Sequence, residues 1–282
     1  MGRPSASHSP SRRSHPRPAR PRGIRDVAAE SVLIAGGGRA ILLQIANPAV
    51  GHGVAAHSDF ASRPLDRLQN TLRYVYTVVF GTAEQARDAA RSVARAHAPV
   101  HDTGSAEHPG YSAFDPQLQL WVAATLYDSA IDMHERIYGP LDDASAERVY
   151  REYAVLGTAL QVPEGLWPAD RTAFGRYWNE QLHLLRTDES TRRVAQALLH
   201  PRVAPLWLKL AMPIARLATA GLLPPRVREA FELNWSAARQ RRFDALLGVV
   251  RAVYPRLPRA LRQLPRDLAL REAARASRSA RS

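Results

Sequence analysis

Ser31-Val-Leu-Ile-Ala-Gly-Gly-Gly-Arg-Ala-Ile-Leu-Leu-Gln44 is the stretch on which the fold turns. A short apolar run, a glycine cluster and a helix-forming segment match the outline of a dinucleotide-binding turn, in which a strand feeds a glycine loop and then a helix. That reading requires strands and helices to alternate downstream, and nothing beyond residue 44 does so. The stretch therefore reads as a helix, a tight turn at Gly36–Gly38, and a second apolar helix over Arg39–Ile45 that Pro48 ends.

Working outward, the rest of the chain carries helical punctuation. Pro64 to Phe80 is a helix with proline in its first turn and Gly81 behind it. Thr82 caps the next helix, with Glu84 and Gln85 early in it. That helix reaches Ala98, because Pro99 disfavours helical backbone in the residue before it. Residues 102–112 form a polar loop. Asp115-Pro116 opens a long apolar helix to Tyr138, and Gly139-Pro140 stops it. Further helices are expected over Ser145–Leu160, Thr172–Leu185, 189–199, 204–220, 225–235 and 236–253. No segment alternates with period two for long enough to form a strand, and there is no internal repeat. The expected fold is all-α, a single helical domain over residues 24–265. Basic disordered ends, 1–23 and 266–282, flank it.

Charge supports this division. The chain has 282 residues and a formal charge of +13. Residues 1–25 hold seven arginines and no acid, and residues 251–282 hold nine arginines against Asp267 and Glu272. The middle is balanced, with 23 basic and 24 acidic residues, so the excess does not mark a nucleic-acid-binding core. Cysteine is absent, which excludes disulfides, thiolate zinc, iron–sulfur clusters and thiolate-ligated haem. No apolar run approaches the roughly 18 residues of a membrane span. Arg12-Arg13 is not followed by an apolar stretch, so a cytoplasmic location is expected.

Two constellations carry chemistry. On the helix from Ala83, positions 86, 90, 93 and 97 share one apolar face, so His97 points where a core residue belongs. An imidazole there can ligate a metal or donate to a backbone carbonyl. His101 lies beyond the Pro99 break. On the Pro64–Phe80 helix, Leu65, Leu68, Leu72, Val75 and Val79 form the apolar stripe, and Asp66, Gln69, Asn70, Arg73 and Thr77 the solvent side. Arg67 and Thr71, four residues apart, share the flank between them with Tyr74 and Val78. They line a pocket there, or else Arg67 snorkels at the core edge and Thr71 bonds its own backbone. His134, in Asp132-Met-His-Glu-Arg136, reads as a solvent-side or buried-edge residue near a helix end, and the five tryptophans read as packing residues. There is no zinc-hydrolase His-Glu-x-x-His, Gly-x-Ser-x-Gly elbow or phosphate loop.

Four collinear blocks carry a resemblance: GGGRAILLQIANPAVGHGVAAHSDF, RPLDRLQNTLRYVYTVVFG, VARAHAPVHDTG and YSAFDPQLQLWVAATLYDS. Together they resemble the MpaB-type oxygenase domain shared with bacterial latex-clearing protein, over about residues 28 to 240. The resemblance implies an all-helical fold with a globin-related core, a b-type haem and its iron, and oxygenase activity. It places the family's Arg-x-x-x-Thr pair at Arg67 and Thr71, in the haem pocket. It places the axial histidine in the block holding His97 and His101. The family's His, two residues, Val pattern matches His97-Ala-Pro-Val100, so His97 is the preferred ligand and His101 the alternative. The chain departs from the family at Ala123, where a histidine often follows the Trp-Val pair. No pocket base can be placed, although His52 and His57 lie in the region where one would fall.

The expected function is thus a haem b-dependent oxygenase acting on a hydrophobic small molecule or lipid with dioxygen. An imidazole holds the iron, an apolar cavity excludes water, and Arg67 grips a haem propionate or polarises oxygen. The competing class is a non-catalytic helical haem- or lipid-binding protein. A DNA-binding regulator ranks below both, because no recognition helix is evident. Substrate and oligomeric state are not encoded in any recognisable pattern.

Overall fold

A computed structural model describes residues 21–57, 64–104, 110–201 and 203–279. The basic stretch 1–20 lies outside them. The regular structure of the described residues is helical, apart from a two-stranded antiparallel ladder that pairs β1, His101–Asp102, with β2, Tyr111–Ser112. No parallel sheet forms among the described residues, and the dinucleotide reading falls with it.

The opening stretch differs in detail from its expected form. A short helix, α1 (Ile24–Ala28), precedes a 3-10 turn over Ser31–Gly36 that runs directly into α2, Gly37–Ile45. The glycines make no turn, and Gly36 and Gly37 have ordinary helical φ values of −77° and −61°. Their role is close approach: a Cβ on Gly38 would sit 2.0 Å from Thr219 Oγ1, and one on Gly36 3.2 Å from the Ser129 carbonyl oxygen. Glycine lets this segment sink between two later helices, α6 (Pro116–Tyr138) and α11 (Leu206–Leu222). Arg39 then fastens the junction. It is buried and donates through Nε to the Leu222 carbonyl (2.9 Å) and through Nη1 to Ser129 Oγ (2.7 Å), and it pairs with Asp128. A buried guanidinium is tolerable only when its donors are met in this way.

Pro48 ends one helix and starts another. α3, Pro48–His57, leaves the preceding helical run at an angle of 106°. α4 (Pro64–Phe80) and α5 (Ala83–His97) follow, the latter opened by a capping box between Thr82 and Gln85. α6 begins at a double Asp115 cap to the Gln117 and Leu118 amides (2.7 and 3.3 Å) and ends at Gly139 with φ 88°, a backbone conformation that favours glycine. The expected Ser145–Leu160 helix is broken into α7 (Asp143–Tyr153) and α8 (Val155–Thr158). Then come α9 (Arg171–Leu184), α10 (Glu189–Leu199), α11, α12 (Pro225–Ala230) and α13 (Ala237–Val253).

The core is aromatic on the far side of α6. Tyr127 meets Phe174, Tyr150 and Tyr153 edge-on at 4.9 to 5.3 Å, and Trp121 stacks on Trp178 at 5.3 Å. Edge-on and offset stacking set the negative ring faces against positive edges. Trp121, Trp167 and Trp178 are buried as expected, and Trp207 is not.

The C-terminal region departs most from expectation. Residues from 266 onward are expected to be a disordered tail, yet α15 (Leu264–Ser279), which follows α14 (Arg259–Arg262), is helical. Arg262 reaches back across the chain to Glu30 (2.7 and 2.8 Å) and to Tyr138 Oη (2.7 Å). α15 lies along α4, with the Arg266 guanidinium over Phe80 at 5.3 Å and Arg73 paired to Glu272 at 3.4 Å. With α1, α5, α8 and α15 all packed on α4, its polar face is a solvent side only in part: Gln69, Asn70 and Arg73 are exposed, and Asp66 is half-buried. Thr77, assigned to that side, is buried. Charge alone did not reveal this, because Arg side chains cover apolar surface with their stems.

Candidate functional site

A cavity of about 510 Å³ opens between α3, α4, α5, α6, α8 and the β2 strand, within the roughly 300–1,000 Å³ typical of small-molecule sites. The surrounding helices supply apolar wall, Val50 and Val54 from α3, Val93 from α5, and Val122 and Leu126 from α6. Into this wall come Arg67 and Thr71 from α4 and His97 from the last turn of α5. The three residues singled out in the sequence, 30 positions apart at the extremes, thus face one space. The i, i+4 spacing aligns Arg67 with Thr71, and the capping box at Thr82 sets the register that carries His97 inward on the fourth turn.

His97 is partly buried, and its Nδ1 is sealed from solvent without a hydrogen-bond partner. Burial holds its pKa below the ordinary histidine value, and the positive charge of Arg67 pushes it further down. Both effects favour the neutral imidazole, the form that carries a free lone pair. Burial likewise lowers the pKa of Arg67, so a cation that prefers water is held against the cavity. The Phe114 ring approaches His97 edge-on at 6.5 Å.

His101 goes elsewhere. It is exposed on β1, where its Nδ1 donates to the Ala98 carbonyl (3.2 Å), and it does not line the cavity. The two remaining histidines of interest separate as well. His57 lines the cavity and meets Tyr111 edge-on at 6.1 Å. His52 points to Asp188 (2.6 Å). Burial alone would raise the Asp188 carboxyl, but hydrogen bonds from Thr191 and Ser190, and the neighbouring His52, bring it down to about 2.

Several lining groups were not anticipated. Gln44 donates to Thr125 Oγ1 (3.0 Å), and Gln119 donates to the Ala113 carbonyl (2.8 Å) and to Gln161 Oε1 (2.5 Å). The signal was a glutamine on the apolar side of a long helix. Asp66 and Asn70 also line the cavity, although the helical phase put them on the solvent side. Ala123 lies in the wall where the family often has histidine, so the methyl group leaves room rather than a polar contact. Tyr74 turns its hydroxyl away to the Leu156 carbonyl (2.7 Å). Among the described residues no cluster of three or more His, Asp or Glu groups is placed to hold a bare metal ion. No single described helix is long and apolar enough to cross a membrane.

Comparison with known proteins agrees with this arrangement. Residues 24–252 match the family described as ER-bound oxygenase mpaB/B′/rubber oxygenase, catalytic domain. Uncharacterized proteins of Mycobacterium tuberculosis and Mycobacterium bovis are each 41% identical over 216 residues, which is 75% of this chain and 84% of the relative. No solved structure matches the chain. The match spans α1 through most of α13 and so includes every wall of the cavity: the chain belongs to the mpaB/rubber oxygenase catalytic-domain family.

Proposed function

We propose that this oxygenase-family domain binds haem b in the α3–α6 cavity, where His97 would hold the iron, and oxygenates a hydrophobic small molecule or lipid. The observation that carries the reading is the His97 imidazole, kept neutral by burial and by Arg67, at the wall of a roomy, mostly apolar cavity that also receives Arg67 and Thr71. The residues fit the group. A macrocycle that brings its own nitrogens needs one protein ligand rather than a cage of three. Its apolar ring suits the valine and leucine wall, and its propionates suit a desolvated arginine fork.

When bound, haem supplies redox-active iron for the activation of dioxygen. The chain's own side chains then have separable tasks. His97 stays neutral and directs a ring nitrogen toward the metal. Arg67 clamps a carboxylate, or stabilises negative charge developing beside it. The Thr71 hydroxyl, one turn along, donates to an oxygen in the cavity. The apolar wall excludes water, which keeps the electrostatic effect of Arg67 strong and suppresses side reactions.

The absorption spectrum of the purified protein is the direct test. An intense Soret band is expected in the wild type and its loss in His97→Ala. Wild-type protein that takes up no haem on reconstitution would remove the proposal. Haem without dioxygen consumption across apolar substrates would favour the carrier reading.

A further inference from the structure

The outer face of α11 exposes apolar side chains that no described element covers. Leu206, Leu210 and Ile214 recur every four residues and so form one stripe. Trp207 sits beside it and Val203 just ahead of it. These five are between 58% and 72% exposed. Ordinary surfaces scatter such residues singly, and a contiguous apolar strip marks an interaction site. The segment that carries the strip is basic on balance: residues 189–230 hold seven basic residues against Glu189 and Glu229, with Arg193 paired to Glu189 and Arg192 to Glu232. Lys209 stands exposed within the strip itself.

The possible occupants differ in charge. Residues 1–20 are arginine-rich and nearly devoid of large apolar groups, so they complement the strip in neither respect. A second copy would set basic surface against basic surface. Nucleic acid would match the charge but leave Leu206, Trp207, Leu210 and Ile214 without an apolar counterpart. An anionic bilayer surface satisfies both demands, since leucine, isoleucine and tryptophan enter the acyl boundary while basic side chains meet the headgroups.

We propose that α11 is an interfacial membrane-docking helix, lying in the plane of an anionic lipid surface with Leu206, Trp207, Leu210 and Ile214 inserted. The proposal stands on the exposed strip and its charge, and does not depend on haem binding.

Co-sedimentation of the full chain with lipid vesicles tests it. Binding is expected to phosphatidylglycerol–phosphatidylcholine vesicles and not to pure phosphatidylcholine, and to weaken with salt. The double variant Leu206→Gln/Leu210→Gln changes only exposed positions and should keep the wild-type circular dichroism, yet lose binding by about tenfold or more. Equal binding to neutral vesicles, no binding to either, or undiminished binding by the folded variant would each overturn the proposal. So would a wild-type dimer that the variant converts to monomer, because a second copy would then cover the strip.

Discussion

Two imidazoles in this protein share their local description and differ in their surroundings. His97 on α5 and His134 on α6 each have a buried Nδ1 without a partner, and burial lowers the pKa of each. Around His97 lies a cavity of about 510 Å³ with Arg67 at its wall. Around His134 there is solid packing: the residue is 4% exposed and its ring lies 4.9 Å from Tyr138, beside the Glu30–Arg262 pair. An unsatisfied imidazole is therefore not a ligand by itself. An imidazole whose ring borders free space is available for ligation, and one closed in by packing on every side is a cost to stability.

The largest effect that would break or sharpen this contrast is on haem content. His97→Ala should lose the Soret band almost completely, since no cysteine is available to substitute. His134→Leu and His101→Ala should retain it. Retention by His97→Ala with loss in His101→Ala would move the axial assignment to the exposed strand.

Next is the acid response. The His134 pKa falls from its ordinary 6.5 to about 4 because burial disfavours the cation, an effect only partly offset by Glu30. A histidine with a depressed folded-state pKa leaves stability untouched above the unfolded value. Below it the unfolded chain binds the proton first, so stability falls from about pH 6.5 down to about pH 4. The full loss is on the order of 3 kcal/mol. Chemical denaturation at a series of pH values should show this slope, and His134→Leu should flatten it. The Asp188 carboxylate, held at about 2, acts in the opposite chemical sense. Its contribution is present above the ordinary carboxylate range and disappears as pH falls toward 2, so the two windows are separate.

Removing residues 264–282 should cost about 2 kcal/mol, the equivalent of one well-buried apolar side chain, measured as a lower thermal midpoint. α15 covers α4, the helix that carries Arg67 and Thr71, so haem retention should weaken as well. An unchanged midpoint would return this segment to the status of a dispensable tail.

The smallest expected effects are at the cavity wall. Arg67→Ala and Thr71→Ala should fold normally. A clamp on a propionate predicts haem affinity about tenfold weaker, a loss near 1.4 kcal/mol. A group acting on oxygen chemistry predicts unchanged haem content and a lower kcat. Equilibrium haem titration alongside turnover separates the two.

Local rules read most of the helices correctly. The Thr82 and Asp115 caps, the Gly139 stop and the proline boundaries act within a few residues, and the chain obeys them wherever it is packed. The same locality allowed one helical phase to put His97 inward and another to align Arg67 with Thr71. The misreadings share a cause. The Gly36–Gly38 cluster looked like a turn, although its glycines are there so that Ser129 and Thr219, some 90 and 180 residues away, can come close. Thr77 looked solvent-facing because the elements packed on α4, α15 nearly 200 residues later among them, were not expected there. His134, expected on the solvent side or at a buried edge, is buried, and the Glu30–Arg262 pair that helps to close the packing around it brings together opposite ends of the chain.

The sequence by itself determined the all-helical architecture, the helix ends set by caps and prolines, and the family, because periodicity, capping and collinear motifs are properties of neighbours along the chain. Only the tertiary structure decided which polar groups meet. It placed His97, Arg67 and Thr71 at one cavity, left His101 outside, and sealed His134 in packing. Burial and free volume depend on residues far apart in the chain, so no local pattern encodes them.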